Sequence, residues 1–324
     1  MSSAAPASDP LLLALSPTEV DIVSSIYQHR LLSTAHIAAL HTPAAHLRYP
    51  QRLLAGLEKR GWLNRVRGRP PARQSLWFTT EAAAKAAEAV DIVSRPYRMD
   101  ALRATGPLQP HTLGVNDVGV AFVAAARRLG HECTPWDWHH EVAHRVSDRP
   151  RPGFRADLVV DALLSCTIRE EGQEAVILRF VEFDRATESV STVIAKLRGY
   201  AAFHTYEPKI NGQSGLAWKA RYMAYPKILL VLAGRAEVAL DRRRDTLLQL
   251  CRADPVLSRA AEPLAISITT LPALQREGPF AGVFRKPGAP SALVDVLGRA
   301  VDGREDDPTH YAHPGSLMQK ASRR

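Results

Sequence analysis

The sequence predicts an α/β chain, α+β overall, with an N-terminal winged helix-turn-helix followed by a mixed sheet flanked by helices. Three observations predict it. The N-terminal part orders as three short helices, two β-like runs and another helix. The rest orders as helix, strand, strand, strand, helix, strand. Basic residues gather on the third helix and the hairpin of the first part, where a nucleic-acid-binding module carries them. The 324 residues suit about two domains at ~150 residues each. The expected organisation is a disordered lead over 1–15, a winged helix over 16–92, a linker over 93–110, a sheet domain over 111–301 and a loose tail over 302–324.

The first helix starts at Ser16, which caps, with Pro17 at the first helical position and Glu19 completing the box. Val20, Val23 and Tyr27 follow at helical spacing. Leu32-Ser33-Thr34 is a second start, with Ile37 and Leu40 behind it. A third start reads at Thr42-Pro43 and runs through Leu47, Leu53, Leu54 and Leu57 to Lys59, with Pro50 either a kink or a later start, and Gly61 ending it. Trp62–Val66 and Ser75–Phe78 read as strands around the turn Gly68-Arg69-Pro70-Pro71. Glu81–Val90 is an Ala-rich helix.

Arg48, Arg52, Lys59, Arg60, Arg65, Arg67, Arg69 and Arg73 mark the third helix and the hairpin, and no acid stands between Lys59 and Thr80. A helix in a groove with a basic wing neutralises phosphates and releases counterions, so double-stranded DNA is the expected partner. A solvated basic face on a protein-contact module is the alternative. The formal net charge of +9 favours a polyanionic partner without identifying it.

In the second part, His111–Leu129 reads as a helix ended by Gly130. The segments Glu132–Val146, Arg155–Leu164 and Val176–Phe183 come next, the last two being strands by their β-branched and aromatic content. Ser189–Phe203 is a helix, and Lys227–Leu232 is a buried strand. Asp157 opens one hydrophobic strand, while Glu182 and Asp184 share a side of the next. Asp157 and Glu182 on neighbouring strands can share a hard cation such as Mg²⁺. The competing reading is a strand-capping Asp157 and an Asp184–Arg185 pair.

HTLGVNDVGVAFVAAAR, RADLVV, RFVEFDRATES and AKLRGYAAF, with LLSTAHIAAL and RLLAGLEKRGWL before them, resemble the replication-relaxation family of plasmids and other mobile elements, over roughly residues 16–235. The resemblance implies an N-terminal winged helix and a core similar to PD-(D/E)xK (restriction-endonuclease-like) nucleases, related to one class of mobilisation relaxases. It implies Mg²⁺ or Mn²⁺ as cofactor if the site is active, and replication or transfer proteins as further partners. Asp157 takes the place of the first acid and Glu182 that of the second. Asp184 stands where the pattern has lysine, and Ala156 where it has proline. Lys196 on the following helix can supply the missing positive charge, and Glu141 can add a fourth carboxylate to Asp157, Glu182 and Asp184 as metal ligands.

Three function classes follow: a metal-dependent DNA-nicking nuclease, a non-enzymatic DNA-binding adaptor on an inactive nuclease fold, and a zinc peptidase built on His140-Glu141-Val142-Ala143-His144. That last stretch matches HExxH, in which two His four apart on a helix bind zinc. Arg145 and the missing third ligand weigh against it. Other chemistry is poorly supported: there is no His-x-His pair for a histidine-metal relaxase, and no GxxxxGK[ST] to indicate ATP-driven movement on DNA. The longest apolar runs, Leu11–Leu15 and Ile228–Gly234, fall short of the ~20 residues of a membrane span. MSSAAPASDP lacks the basic start of a signal peptide, and Cys133, Cys166 and Cys251 are scattered, so a reducing cytoplasm is the expected compartment.

Overall fold

The computed structural model describes residues 15–70, 73–89, 96–148, 158–210 and 213–300. Asp157, the expected tail and all of the expected lead but Leu15 lie outside the described residues. The first part contains α1 (Pro17–His29), β1 (Leu32–Ser33), α2 (Thr34–His41), α3 (Arg48–Lys59), β2 (Leu63–Arg67), β3 (Ser75–Thr79) and α4 (Glu81–Ala89). Its strands order β1-β3-β2, all antiparallel, which is the winged-helix arrangement. Both expected caps form. Ser16 and Glu19 make a capping box, and Ser33 makes another with His36, whose ring replaces the usual Glu. The third start differs: α3 begins at Arg48, so Pro50 sits in its first turn, where a missing N–H costs nothing. Thr42-Pro43 is instead the turn between α2 and α3.

A short helix, α5 (Ala101–Thr105), interrupts the expected linker, and α6 (Gln109–Leu129) follows. Next come β4 (Trp138–His144), β5 (Leu158–Glu170), β6 (Gln173–Asp184), α7 (Val190–Thr205), a small hairpin of β7 (Lys209–Ile210) and β8 (Gln213–Ser214), and β9 (Lys227–Leu232). The chain continues through α8 (Glu237–Ala253), α9 (Pro255–Arg259), α10 (Ala261–Leu264), β10 (Ser267–Thr270), α11 (Leu271–Glu277), β11 (Phe284–Lys286) and β12 (Ala289–Val294). The seven-stranded sheet orders β12-β11-β10-β9-β6-β5-β4, with β9 parallel to both β6 and β10. Glu171 and Gly172, both at positive φ, make the tight turn from β5 to β6.

One face of the sheet, through Val181, Phe183, Leu229 and Val231, packs with Val115, Val118 and Phe122 of α6. The other, through Phe180, Ile228 and Leu230, packs with Leu197 and Tyr200 of α7 and Leu240 and Leu247 of α8. The core of the first face runs unbroken into the winged helix, through Ile22, Ile37, Leu54 and Trp77. Polar contacts from α6 complete that junction. Buried Asn116 donates to the carbonyls of His29 (3.2 Å) and Leu31 (3.0 Å), left open where α1 ends. Arg127 donates to the Ala39 and Leu40 carbonyls at the end of α2, and Asp117 meets His36 at 3.0 Å.

The strands that carry the site are irregular. Between the pairs His140↔Ala162 and Val142↔Val160, Glu141 turns to φ 50°. Alternation breaks there: Trp138 and His140 meet Asn116 of α6, whereas His144 packs on Phe203 of α7. Pairing of β5 with β6 stops at Ala162↔Val181, but β6 runs on beside β9 to Asp184. The sheet therefore forks, and Asp161 stands in the fork.

Candidate functional site

The eight basic residues singled out by the sequence are all exposed. Arg48, Arg52 and Lys59 lie on α3, whose opposite side buries Leu54 and Leu57. Arg65 and Arg67 lie on β2, with Arg69 and Arg73 beyond its end and before β3. Two are partly neutralised: Arg60 pairs with Glu19, and Arg65 with Glu58 at 3.3 Å. Among the described residues the other six have no ion pair, so their charge is available to a ligand.

The second site is a cleft of about 250 Å³ at the fork. Asp161 of β5 and Glu182 of β6 line it, with Lys196 of α7 between them. Lys196 Nζ lies 3.0 Å from Asp161 Oδ1 and also pairs with Glu182. The Phe183 N–H, facing the strand that has diverged, donates to Asp161 Oδ2 at 2.8 Å in place of a ladder carbonyl. His111, near the start of α6, reaches the same oxygen at 3.5 Å, and Tyr200 donates its hydroxyl to Glu182. The Lys196 side chain is 37% exposed against 6% for Glu182, so the ammonium faces the cleft mouth and Glu182 its floor.

The electrostatics follow from two carboxylates sharing one cation in a dry place. Burial and the Asp161 charge push the Glu182 carboxyl up to about 8, against the pull of Lys196. Burial resists the Asp161 charge too, but His111, Lys196 and the Phe183 N–H hold it well below the usual carboxylate range. Burial likewise opposes the Lys196 charge, yet Glu182 and Asp161 keep it above the ordinary lysine range.

The expected residues are only partly brought together. Glu182 and Lys196 meet. Asp184 borders the cleft but is held by Arg243 of α8, Nε to Oδ2 2.5 Å, and accepts the Ala186 N–H at 2.9 Å. Its expected partner Arg185 instead donates to the Pro107 carbonyl at 3.5 Å. Glu141 reaches across to Arg30 at the end of α1, at 2.6 Å, and does not line the cleft. Among the described residues no three acids, histidines or cysteines converge as a metal site. Asp161 and Glu182 nonetheless offer hard oxygens from two strands, where a divalent cation would have to take the place now held by the Lys196 ammonium. Two ligands of a largely hydrated Mg²⁺ fit; a four-carboxylate cage does not.

His140-Glu141-Val142-Ala143-His144 lies on strand β4, not on a helix. His140 meets Asn116 Oδ1 at 2.9 Å on the α6 face, while His144 lies between Phe203 and Tyr222 on the α7 face. Opposite faces of a sheet cannot hold one zinc ion. Asp161, His111, Tyr200 and Arg243 were not singled out as site residues by their sequence. The one signal for Asp161 is a lone acid inside the apolar run LVVDALL, and that for Tyr200 is its place one turn after Lys196.

Fold and site thus define a winged helix packed against a forked mixed sheet with a buried carboxylate–lysine cluster. The chain belongs to the replication-relaxation family, whose model matches residues 23–216. No curated protein matches it. Solved structures with some likeness include a cysteine-to-serine mutant of MarR from E. coli in complex with operator DNA, 19% identical with a TM-score of 0.22, covering 24% of this chain and 54% of that one. YusO from Bacillus subtilis is 17% identical with a TM-score of 0.22, covering 24% and 53%. A mutant of ZitR from Lactococcus lactis is 22% identical with a TM-score of 0.20, covering 23% and 49%. This chain spans about half the length of these structures. Among the described residues no helix is long and apolar enough to cross a membrane.

Proposed function

We propose that this is a DNA-binding protein of plasmid or mobile-element replication and transfer, whose winged helix holds duplex DNA and whose cleft nicks it with Mg²⁺ or Mn²⁺. One observation carries the reading. The Arg69 N–H, in the wing, donates to Gln109 Oε1 at 2.8 Å, and His111, two residues further on, reaches Asp161. The basic wing and the acidic cleft therefore meet at the start of one helix, which supports a reading in which a duplex on the wing would lie beside the cleft mouth.

A phosphodiester is anionic and is repelled by bare carboxylates. Asp161 and Glu182 would hold the divalent ion, which supplies the positive charge that lets a phosphate approach and makes an attacking water acidic. Lys196, at the mouth, neutralises charge developing on the phosphate. His111 keeps the Asp161 carboxylate oriented, and Tyr200 does the same for Glu182. In this reading Asp161 takes the role the resemblance gives Asp157, and Lys196 supplies the charge absent at Asp184.

The test is nicking of a supercoiled plasmid carrying the DNA that flanks this gene, with and without Mg²⁺ or Mn²⁺. Nicking is expected from the unaltered chain and from Asp157→Asn. It is expected to vanish in Asp161→Asn and Glu182→Gln, with DNA binding retained. A second reading, the non-enzymatic adaptor, is favoured by the closed pairing of Lys196 with both acids and of Arg243 with Asp184. No nicking with either ion would establish it in place of the first.

A further inference from the structure

Helix α8 lines one groove and touches the wall of the candidate cleft through a single side chain. On one flank Arg243 holds Asp184 and donates to the Glu188 carbonyl at 2.9 Å, at the wall of the candidate cleft. On another, Arg242, Thr246, Gln249 and Arg252 follow at i, i+4, i+7 and i+10, a single helical stripe. With Arg285 of β11 and Ser291 of β12 they line a groove of about 630 Å³.

Charge there is unevenly used. Arg244 is tied to Asp241 at 2.8 Å and Asp245 at 3.2 Å. Arg242, Arg252 and Arg285 have no ion pair among the described residues. Arg285 donates to the Pro290 carbonyl at 2.7 Å, but its Nε is buried with no partner. Ten residues of helix separate Arg242 from Arg252, or ~15 Å. A nucleic-acid strand advances about 3.4 Å per phosphate, so the stripe spans several phosphates. Thr246, Gln249 and Ser291 add the neutral donors that phosphate oxygens accept from.

We propose that this groove is a second contact for the DNA backbone, distinct from the winged helix, and that it takes the strand passing the cleft. The proposal rests on the DNA reading for the identity of its polyanion. Arg243, next to Arg242 on α8, holds Asp184 of the cleft lining, so a strand in the groove would pass close to the cleft.

The experiment uses the full chain and a 30-base-pair duplex containing the flanking DNA, with affinity measured by fluorescence anisotropy across salt concentrations. Arg242→Gln with Arg252→Gln, both exposed, should lower the slope of log affinity against log salt by about 1.8, or about 0.9 per phosphate contact. Arg242→Lys with Arg252→Lys should keep it. An unchanged slope in the glutamine pair overturns the groove. So does an equal loss in the lysine pair, which would report a shape defect and not a charge. The wing variant Arg65→Ala, Arg67→Ala, Arg69→Ala separates the two readings. If only the wing variant weakens binding, the groove falls and the winged-helix reading stands. If only the groove pair weakens it, the winged-helix reading falls and the groove stands.

Discussion

The winged helix and the forked sheet handle charge in opposite ways. On α3 and the wing, arginines stand in water, six of the eight cationic residues having no ion pair among the described residues. In the fork, Asp161, Glu182 and Lys196 are packed against one another, and Glu182 is buried. An exposed charge costs little to keep and acts over a Debye length, which suits attraction of a polyanion. A buried cluster is costly to assemble and acts only on what enters it, which suits chemistry at one bond. In the proposed reading, one surface serves affinity and the other turnover.

That division breaks down if variants of one region produce the effect of the other. The largest effect is expected from Lys196→Met. Nicking at saturating DNA should fall about 10²–10³-fold, as for loss of a charge aimed at the transition state, with affinity unchanged. A drop in affinity alone would place Lys196 in binding. Next comes Arg65→Ala, Arg67→Ala, Arg69→Ala. Arg65 is already engaged by Glu58, so about two phosphate contacts are lost and not three. Affinity at 0.15 M salt should fall on the order of thirtyfold, with nicking at saturation unchanged.

A third variant addresses the packing that holds the fork in place. A Cβ on Gly119 of α6 would lie 2.5 Å from the Trp138 ring, and one on Gly114 would lie 2.0 Å from Phe183, whose N–H holds Asp161. Gly119→Ala should cost about 1–3 kcal/mol of stability in chemical denaturation through overpacking. Gly114→Ala should also reduce nicking, because it displaces Phe183. Unaltered stability in both would mean that α6 can shift away from the sheet.

The smallest effect concerns the junction. His29 stacks on Trp138 at 3.9 Å and meets the Pro135 carbonyl at 2.7 Å, and burial pushes its pKa down to about 3. The unfolded chain therefore binds a proton below pH 6.5 that the folded chain refuses. His29 contributes stability above that pH, and the contribution is lost as pH falls toward 3. Between pH 6.5 and 4.5 the loss is at most about 1.4 kcal/mol per pH unit from this residue. His29→Asn should flatten the pH dependence of urea denaturation by that amount. An equal slope in variant and unaltered chain would mean that His29 takes up its proton in the folded state.

The sequence is most legible where structure is local. Ser16-Pro17 with Glu19, and Ser33-Thr34, announce α1 and α2 because capping is decided within four residues. Thr42-Pro43 imitates the same signal, but the chain turns there and α3 starts at Arg48, a choice made by burial of Leu54 and Leu57. The wing and its arginines follow from composition alone. Of the site, Glu182 and Lys196 were legible. Asp161 was not, because strand alternation reads it as one more position in an apolar run. Only the positive φ at Glu141 and the parting of β5 from β6 turn it into the fork, and both depend on partners far along the chain. The HExxH spacing misleads for the same reason, since the break at Glu141 sends its two histidines to opposite faces.

The grip of α6 on the ends of α1 and α2 also sets a length. Asn116, Asp117 and Arg127 fix both helices to the sheet, and Gln109 fixes the wing. If α3 reads DNA as proposed, α3 and the cleft are thus two marks on one ruler. A break made in the cleft would fall at a constant number of base pairs from the sequence that α3 reads, whatever DNA lies between.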